Sequence, residues 1–149
     1  MSKKNTMRNK KLLLDTSFLL PVLGFETNDR IMKVYHRLGS YEVYYSEIGI
    51  LEALWKIVKI VREEDEIRRV KEGIRAIRET FKYAALDDVA VGNAITMYWL
   101  GHRDMIDNLL YSIALSRKIA LLTVDNDLIE FLEKNDLPRN HVTTPEELV

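Results

Sequence analysis

Cysteine is missing from all 149 residues, and proline (3) and glycine (6) are scarce. Without thiols there is no disulfide scaffold, no Cys-ligated zinc, no iron–sulfur cluster and no thiol nucleophile. So few chain breakers, beside 47% hydrophobic and 30% charged residues, exclude a collagenous chain, a disordered tail and a low-complexity linker. The longest stretch free of Lys, Arg, Asp and Glu is the 14 residues 89–102, short of the roughly 20 that a membrane-spanning helix needs. A Gly-rich phosphate loop is absent too, which leaves P-loop or Rossmann-type nucleotide binding unsupported. The basic start (Lys3, Lys4, Arg8, Lys10, Lys11) leads into an apolar run that Asp15 interrupts, and it lacks a clear small-residue cleavage site, so export is not expected. A soluble, cytoplasmic protein is the expectation.

What is present suits one domain over residues 1–149, with 1–10 as a flexible basic lead. The net charge of -1 hides a gradient. Residues 1–60 hold 10 Lys+Arg against 6 Asp+Glu, residues 61–100 hold 7 against 8, and residues 101–149 hold 5 against 9. A uniformly basic nucleic-acid binder would not be graded in this way, whereas a basic edge beside an acidic pocket can hold phosphates through a metal. Lys3 to Lys11, Arg30, Lys33 and Arg37 suit either a nucleic-acid backbone or a solvated surface.

Lys11-Leu12-Leu13-Leu14 ahead of Asp15 reads as a strand buried on both faces, as in a parallel sheet. Thr16 and Ser17 open a short helix, and Asn28-Asp29 cap a second that ends at Gly39-Ser40. Residues 41–45 are strand two, and Ser46 caps a helix whose predicted inner stripe is Ile48, Leu51, Trp55 and Val58. Residues 56–82 carry 15 charges around a stripe of Ile60, Ile67, Val70, Ile74, Ile77 and Phe81, which predicts a long amphipathic helix with a break near 63–66. That stripe faces either the core or a partner helix. A short strand at 83–86, helices capped by Asp87-Asp88 and by Asp104, a strand at 119–124, a helix opened by Asp125 and a last strand fragment with a capped turn complete the chain. Strands alternating with helices predict an α/β sandwich, three layers around a mainly parallel sheet.

In such sheets ligands gather beyond the carboxyl ends of the strands. Asp15, Ser46 and Asp125 stand there, with Thr123 just before Asp125, and each also fits a helix N-cap. Glu52 sits near the apolar stripe of its helix, where an ionised carboxylate needs a partner or a metal. Asp107 falls in the first turn after the Asp104 cap, on the face that Leu110, Tyr111 and Ala114 extend inward. His36, His102 and His141 have no ligand spacing to one another and read as surface or capping groups. Trp55 and Trp99, among apolar residues, read as core.

Leu-Leu-Leu-Asp15-Thr-Ser, Ser46-x5-Glu52, Ile106-Asp107-Asn108-Leu109 and Leu-Leu-Thr-Val-Asp125-Asn-Asp127 together resemble the PIN-domain family, from Leu12 to about Phe131. That family comprises metal-dependent nucleases, VapC-type toxins among them. The resemblance implies an acidic quartet of Asp15, Glu52, Asp107 and Asp125 as catalytic and metal-binding residues. It also implies polar support from Thr16, Ser46 and Thr123, and an extra acid, Asp127, at the rim. Family members often carry Ser or Thr where Asp104 stands and Ala where Asn108 stands, so Asp104 adds a fifth carboxylate near the site. Crowded carboxylates repel, and a divalent cation relieves the repulsion. Oxygen ligands without Cys or a well-placed His favour Mg²⁺ or Mn²⁺ over Zn²⁺. The expected function is a divalent-metal-dependent endoribonuclease, the toxin of a toxin–antitoxin pair, with RNA as substrate, an antitoxin as partner and a homodimer as assembly. The alternative is a non-catalytic PIN-like module that binds RNA or protein. A haloacid-dehalogenase-type phosphatase would need a second Asp where Ser17 stands, and the acid pair of a response-regulator receiver is not seen.

Overall fold

The computed structural model describes residues 10–148, so the basic lead expected at residues 1–10 lies, all but Lys10, outside the described residues. Five strands, β1 (Lys11–Leu14), β2 (Glu42–Tyr45), β3 (Lys82–Tyr83), β4 (Ala120–Leu122) and β5 (Val142–Thr143), form one sheet in the order β3-β2-β1-β4-β5. Every pairing is parallel. The triple leucine of β1 lies at the centre because side chains alternate across a strand. Leu12 and Leu14 enter the apolar cluster on one face and Leu13 the cluster on the other. Such a strand has no polar position to offer, which is why it reads as an unbroken apolar run.

The first face is covered by α1 (Thr16–Leu19), α2 (Asp29–Tyr35), α3 (Glu47–Ile57) and α4 (Glu64–Thr80). Asn28 Oδ1 caps α2 by accepting from Ile31 N at 3.0 Å. The break expected near 63–66 is real: Glu66 reaches back to accept from Arg62 N (2.9 Å) and Glu63 N (3.1 Å), which fixes a fresh helix start. The inner stripe of α3 differs from the expected one. Gly49, Ile50, Ala53 and Ile57 are buried, while Leu51, Trp55 and Val58 are exposed. Small residues win the inner face because the helix lies close on the first strand and helix; a Cβ on Gly49 would stand 3.2 Å from Leu19 Cδ1. On α4 only Gly73 and Ile77 are fully buried, and Ile67 at its start is exposed, as is Ile60 before it. Gly73 lets the helix rest on the chain after α1: a Cβ there would lie 2.6 Å from the Val22 carbonyl oxygen. That close approach accounts for a residue that costs a helix about 1 kcal/mol relative to Ala.

The second face carries α5 (Asp88–Leu100), α6 (Met105–Arg117) and α7 (Asn126–Lys134). Asp87 caps α5 through Ala90 N (2.7 Å), and Gly101, at φ +118°, ends it in the left-handed conformation. The apolar residues of α5 run all round, so no period in the sequence marks its inner side. Ala90, Ala94 and Met97 face α6, while Val91, Ile95, Tyr98 and Trp99 form an exposed stripe. Both tryptophans are therefore surface residues, against the core role expected of them: Trp55 is 54% and Trp99 77% exposed. A 3-10 turn, Pro145–Leu148, closes the first face, where the Tyr41 hydroxyl donates to the Leu148 carbonyl at 3.1 Å.

Candidate metal centre

Beyond the carboxyl ends of β1 and β4, three helices start close together, and an aspartate caps each. Asp15 caps α1, with Oδ1 accepting from Thr16 N at 2.7 Å. Asp104 caps α6, accepting from Asp107 N at 3.1 Å, and Asp125 caps α7, accepting through Oδ1 from Asp127 N at 2.9 Å and Leu128 N at 3.3 Å. Cap and candidate ligand are thus the same side chains. One carboxylate oxygen holds the helix, and its N–H bonds fix where the other oxygen points.

Two threonine hydroxyls tie the acids to one another. Thr123, fully buried at the end of β4, donates to Asp15 Oδ2 (2.8 Å) and accepts from Asp125 N (3.0 Å). Thr16 donates to Glu52 Oε1 at 2.5 Å and brings the α3 glutamate to the mouth of β1. Glu52 reaches the site from the half-buried flank of α3 and not from the apolar stripe that first drew attention to it. Ser46 is buried and caps α3 through Ile48 N at 3.1 Å; among the described residues its side chain makes no bond to the acids. Asp127 is exposed at the rim, where its backbone N–H serves Asp125.

Charge in this region is short of counterions. Burial pushes the Asp15 carboxyl up from 3.8 to about 6; the bonds from Thr123 and Thr16 oppose the rise, and the charge of Glu52 adds to it. Lys56, one turn beyond Glu52, faces Asp15 with the opposite sign. Asp107 is held far above the usual carboxylate range by burial first, then by sharing a proton with Asp125, then by the charge of Asp15. The same contact holds Asp125 below its ordinary value. Asp107 Oδ2 is buried and finds no hydrogen-bond partner.

The five acids do not form one cluster. One oxygen each from Asp104, Asp107 and Asp125 lies within 4.8 Å of the others, and Asp15 and Glu52 stand outside that group. Whether the donor set suits a divalent cation is answered by its chemistry: hard carboxylate oxygens alone, one of them buried and unsatisfied, and a proton held where a cation would neutralise more charge. The set fits a divalent cation.

His102 is buried and not on the surface as expected, because Asn108 captures it: Nδ1 meets Asn108 Oδ1 at 2.7 Å, and Asn108 Nδ2 donates to the His102 carbonyl at 2.7 Å. The His102 ring leans on Phe131, 5.1 Å between centroids, close enough to Asp125 for a positive imidazole to favour its carboxylate. Lys56, His102 and Asn108 are the site residues that sequence reasoning missed. The i,i+4 pair Glu52/Lys56 is a signal that was available in the sequence. The pairing of His102 with Asn108 carried no such signal.

The PIN domain family model matches residues 12–134. No curated protein matches the chain. Among solved structures, VapBC2 from Rickettsia felis bound to a DNA fragment from its promoter is 11% identical at TM-score 0.60, over 90% of this chain and 98% of that one. FitAcB from Neisseria gonorrhoeae is 16% identical at TM-score 0.58, over 91% and 98%. VapBC-5 from Mycobacterium tuberculosis, a member of the VapBC family of toxin–antitoxin systems, is 18% identical at TM-score 0.57, over 90% and 96%. These likenesses establish the fold. The family model spans most of the chain, and the chain belongs to the PIN domain family.

Proposed function

We propose that the chain, acting as one nuclease domain, hydrolyses RNA phosphodiester bonds with Mg²⁺ or Mn²⁺ and serves as the toxin of a toxin–antitoxin pair in the cytoplasm. The observation that carries the reading is the buried, unpartnered Asp107 Oδ2 beside Asp125, at the strand ends where Asp15 and Glu52 also converge. Asp15, Glu52, Asp107 and Asp125 are the acids assigned to cation binding and catalysis, with Thr16 and Thr123 as their positioning partners. A bound divalent cation supplies positive charge against the phosphate oxygens as negative charge builds in the transition state.

The chain's own groups divide the remaining work. Hydrolysis forms a bond from a water oxygen to phosphorus as the bond from phosphorus to the leaving oxygen breaks, and the water's proton needs an acceptor. Asp15 has both oxygens engaged, by Thr16 N and Thr123 Oγ1, and serves as a fixed negative charge. Glu52 is steered by Thr16 through Oε1 alone, so Oε2 is left to take that proton. Lys56 brings positive charge to the edge of the acids, where an RNA backbone would otherwise be repelled.

Partners find surfaces to match. The exposed stripe of Val91, Ile95, Tyr98 and Trp99 on α5 supports a homodimer, in place of the α4 stripe first considered. An apolar groove of about 290 Å³ between α3 and α4, lined by Leu54, Ile57, Val58, Val61, Ile67 and Val70, supports an antitoxin segment laid against it. The neighbours that are toxin–antitoxin complexes favour the same pairing.

The test is cleavage of labelled single-stranded RNA by the purified chain with Mn²⁺, Mg²⁺ or EDTA, beside Asp15→Asn. Cutting that needs the metal and is lost in the variant is the expected result. Undiminished cutting by a folded Asp15→Asn protein would overturn the assignment, and no cutting by the wild-type chain in either metal would favour the non-catalytic binding module.

A further inference from the structure

The last third of the chain is acidic, and its few cations are placed almost entirely away from the acids. Arg117 and Lys118 close α6 and Lys134 closes α7, whereas both helices begin at the acids, with Asp104 and Asp125 as caps. The 13 residues of α6 carry its basic end roughly 20 Å from its cap. Arg139 is engaged by Glu133 and Glu147. That leaves Arg103, one residue ahead of Asp104.

Arg103 is exposed, yet its place is fixed from both sides. Before it, the N–H groups of Gly101 and His102 donate to the Tyr98 and Met97 carbonyls at 3.1 Å each, and the His102 side chain is bound by Asn108. After it, Asp104 caps α6. The guanidinium carbon of Arg103 stands 4.5 Å from the centre of the Tyr98 ring, well inside the reach of a cation–π contact. Asp104 adjoins it in the chain, but the side chain turns to α5 and, among the described residues, pairs with no carboxylate. Stacking uses the flat face of a guanidinium and leaves its edge, a rigid fork of N–H donors, for an acceptor. A phosphate matches that fork, since two of its oxygens take two parallel N–H bonds.

Lys56, the cation that faces Asp15, belongs to α3 on the first face of the sheet, and Arg103 belongs to the turn between α5 and α6 on the second. A strand of RNA laid over the acids therefore meets a cation on each side. We propose that Arg103, seated on Tyr98, holds a backbone phosphate of the RNA next to the scissile one. The inference rests on the RNA-cleaving reading above and deepens it by naming a residue that grips the substrate outside the acids. A flanking phosphate and not the scissile one is assigned because the guanidinium leans on α5 and away from the carboxylates.

The test uses the full chain and a labelled single-stranded RNA of mixed sequence. Binding is followed by fluorescence anisotropy in Mn²⁺ over a series of salt concentrations, with Asp15→Asn in every protein so that bound RNA is not cut. Arg103→Gln should weaken binding about tenfold, the scale of one hydrogen-bonded charge. It should also lower the slope of log affinity against log salt by about 0.7, the share of one phosphate on a single strand. Arg103→Lys keeps the charge without the fork, so it should restore the slope but not the affinity. Lys134→Gln, the same change of charge at the far end of α7, should alter neither. In cleavage by the chain with Asp15 intact, Arg103→Gln should raise KM about tenfold and change kcat less than about twofold, because a flanking phosphate is held equally before and during the reaction. Unchanged affinity and slope in Arg103→Gln, or an equal loss from Lys134→Gln, would overturn the inference and leave the proposed function standing. A fall in kcat as large as the fall in kcat/KM would overturn it too, since Arg103 would then act on the scissile group. RNA bound through Arg103 but cut by no form of the chain would remove the nuclease reading and keep the contact, and no RNA bound at all would overturn the contact.

Discussion

The two halves of the acidic row are built differently. Asp15 and Glu52 are wired to threonine hydroxyls: Thr123 and Thr16 N occupy both oxygens of Asp15, and Thr16 holds one oxygen of Glu52. Asp104 and Asp125 receive only backbone N–H groups, used for capping, and Asp107 keeps a buried oxygen with no donor at all. The first half has its orientation settled before any ligand arrives, whereas the second is short of positive charge. One chain thus contains a pre-positioned pair and an unsatisfied triad, and each answers differently to a change of charge, of pH or of a hydroxyl.

The largest contrast is in catalysis. Asp15→Asn keeps the shape of the first half and removes its charge, and RNA cleavage should fall by about a thousandfold or more, a loss of the size seen when one group facing a charged transition state is removed. Single-turnover cleavage in saturating Mn²⁺ measures it.

Next comes pH, acting on the metal-free protein. Asp15 holds its proton more tightly in the folded chain, at about 6, than at its ordinary 3.8, so ionising it disfavours the fold. Its destabilising contribution is complete above pH 6 and vanishes as pH falls through the window between about 6 and 4. The size is on the order of 3 kcal/mol, and the raised Asp107 acts with the same sign. Urea denaturation in EDTA should give a chain more stable at pH 5 than at pH 7, and Asp15→Asn should flatten that slope. A wild-type slope of the opposite sign would remove the claim that these acids are strained without a cation.

Thr123→Val sharpens the comparison at a smaller scale. The bridging hydroxyl serves Asp15 and Asp125 N together, so its loss leaves two groups unpaired, and about 2 kcal/mol of stability should go with it. Chemical denaturation at pH 7 reads the loss. Smallest of all is Trp99→Glu, on the far side of α5 from its contact with α6. It should shift the stability of the free chain by no more than about 0.5 kcal/mol, while light scattering finds any self-association through that stripe reduced.

The fold was largely legible along the chain because its signals are local. The leucine run of β1, the Asn28, Ser46, Asp87, Asp104 and Asp125 caps and the Gly101 stop each act within a few residues, and all are where the sequence puts them. The break before α4 was also readable, through Glu63 and Glu66. The inner face of α3 was not, because size misled: Gly49 and Ala53 pack where bulk cannot fit, and the larger Leu51 and Trp55 are left outside. On α5 the apolar residues encircle the helix, so nothing in their period marked Trp99 as exposed.

Of the site, the sequence by itself determined which residues are acids and that Asp15 and Asp125 follow strands, since both facts depend on composition and on cap chemistry within a turn or two. Only the tertiary structure decided which acids meet. Asp104 joins Asp107 and Asp125 because the turns before α6 and α7 are brought side by side by packing on one face of the sheet. Asp15 is tied to the Asp125 backbone by a hydroxyl 108 positions away in the chain, that of Thr123. His102 is buried for the same kind of reason, a partner on the next helix closing over it. Spacing along a chain places a side chain on its own element; distances between elements follow from the packing that sets each helix's rotation and height on the sheet.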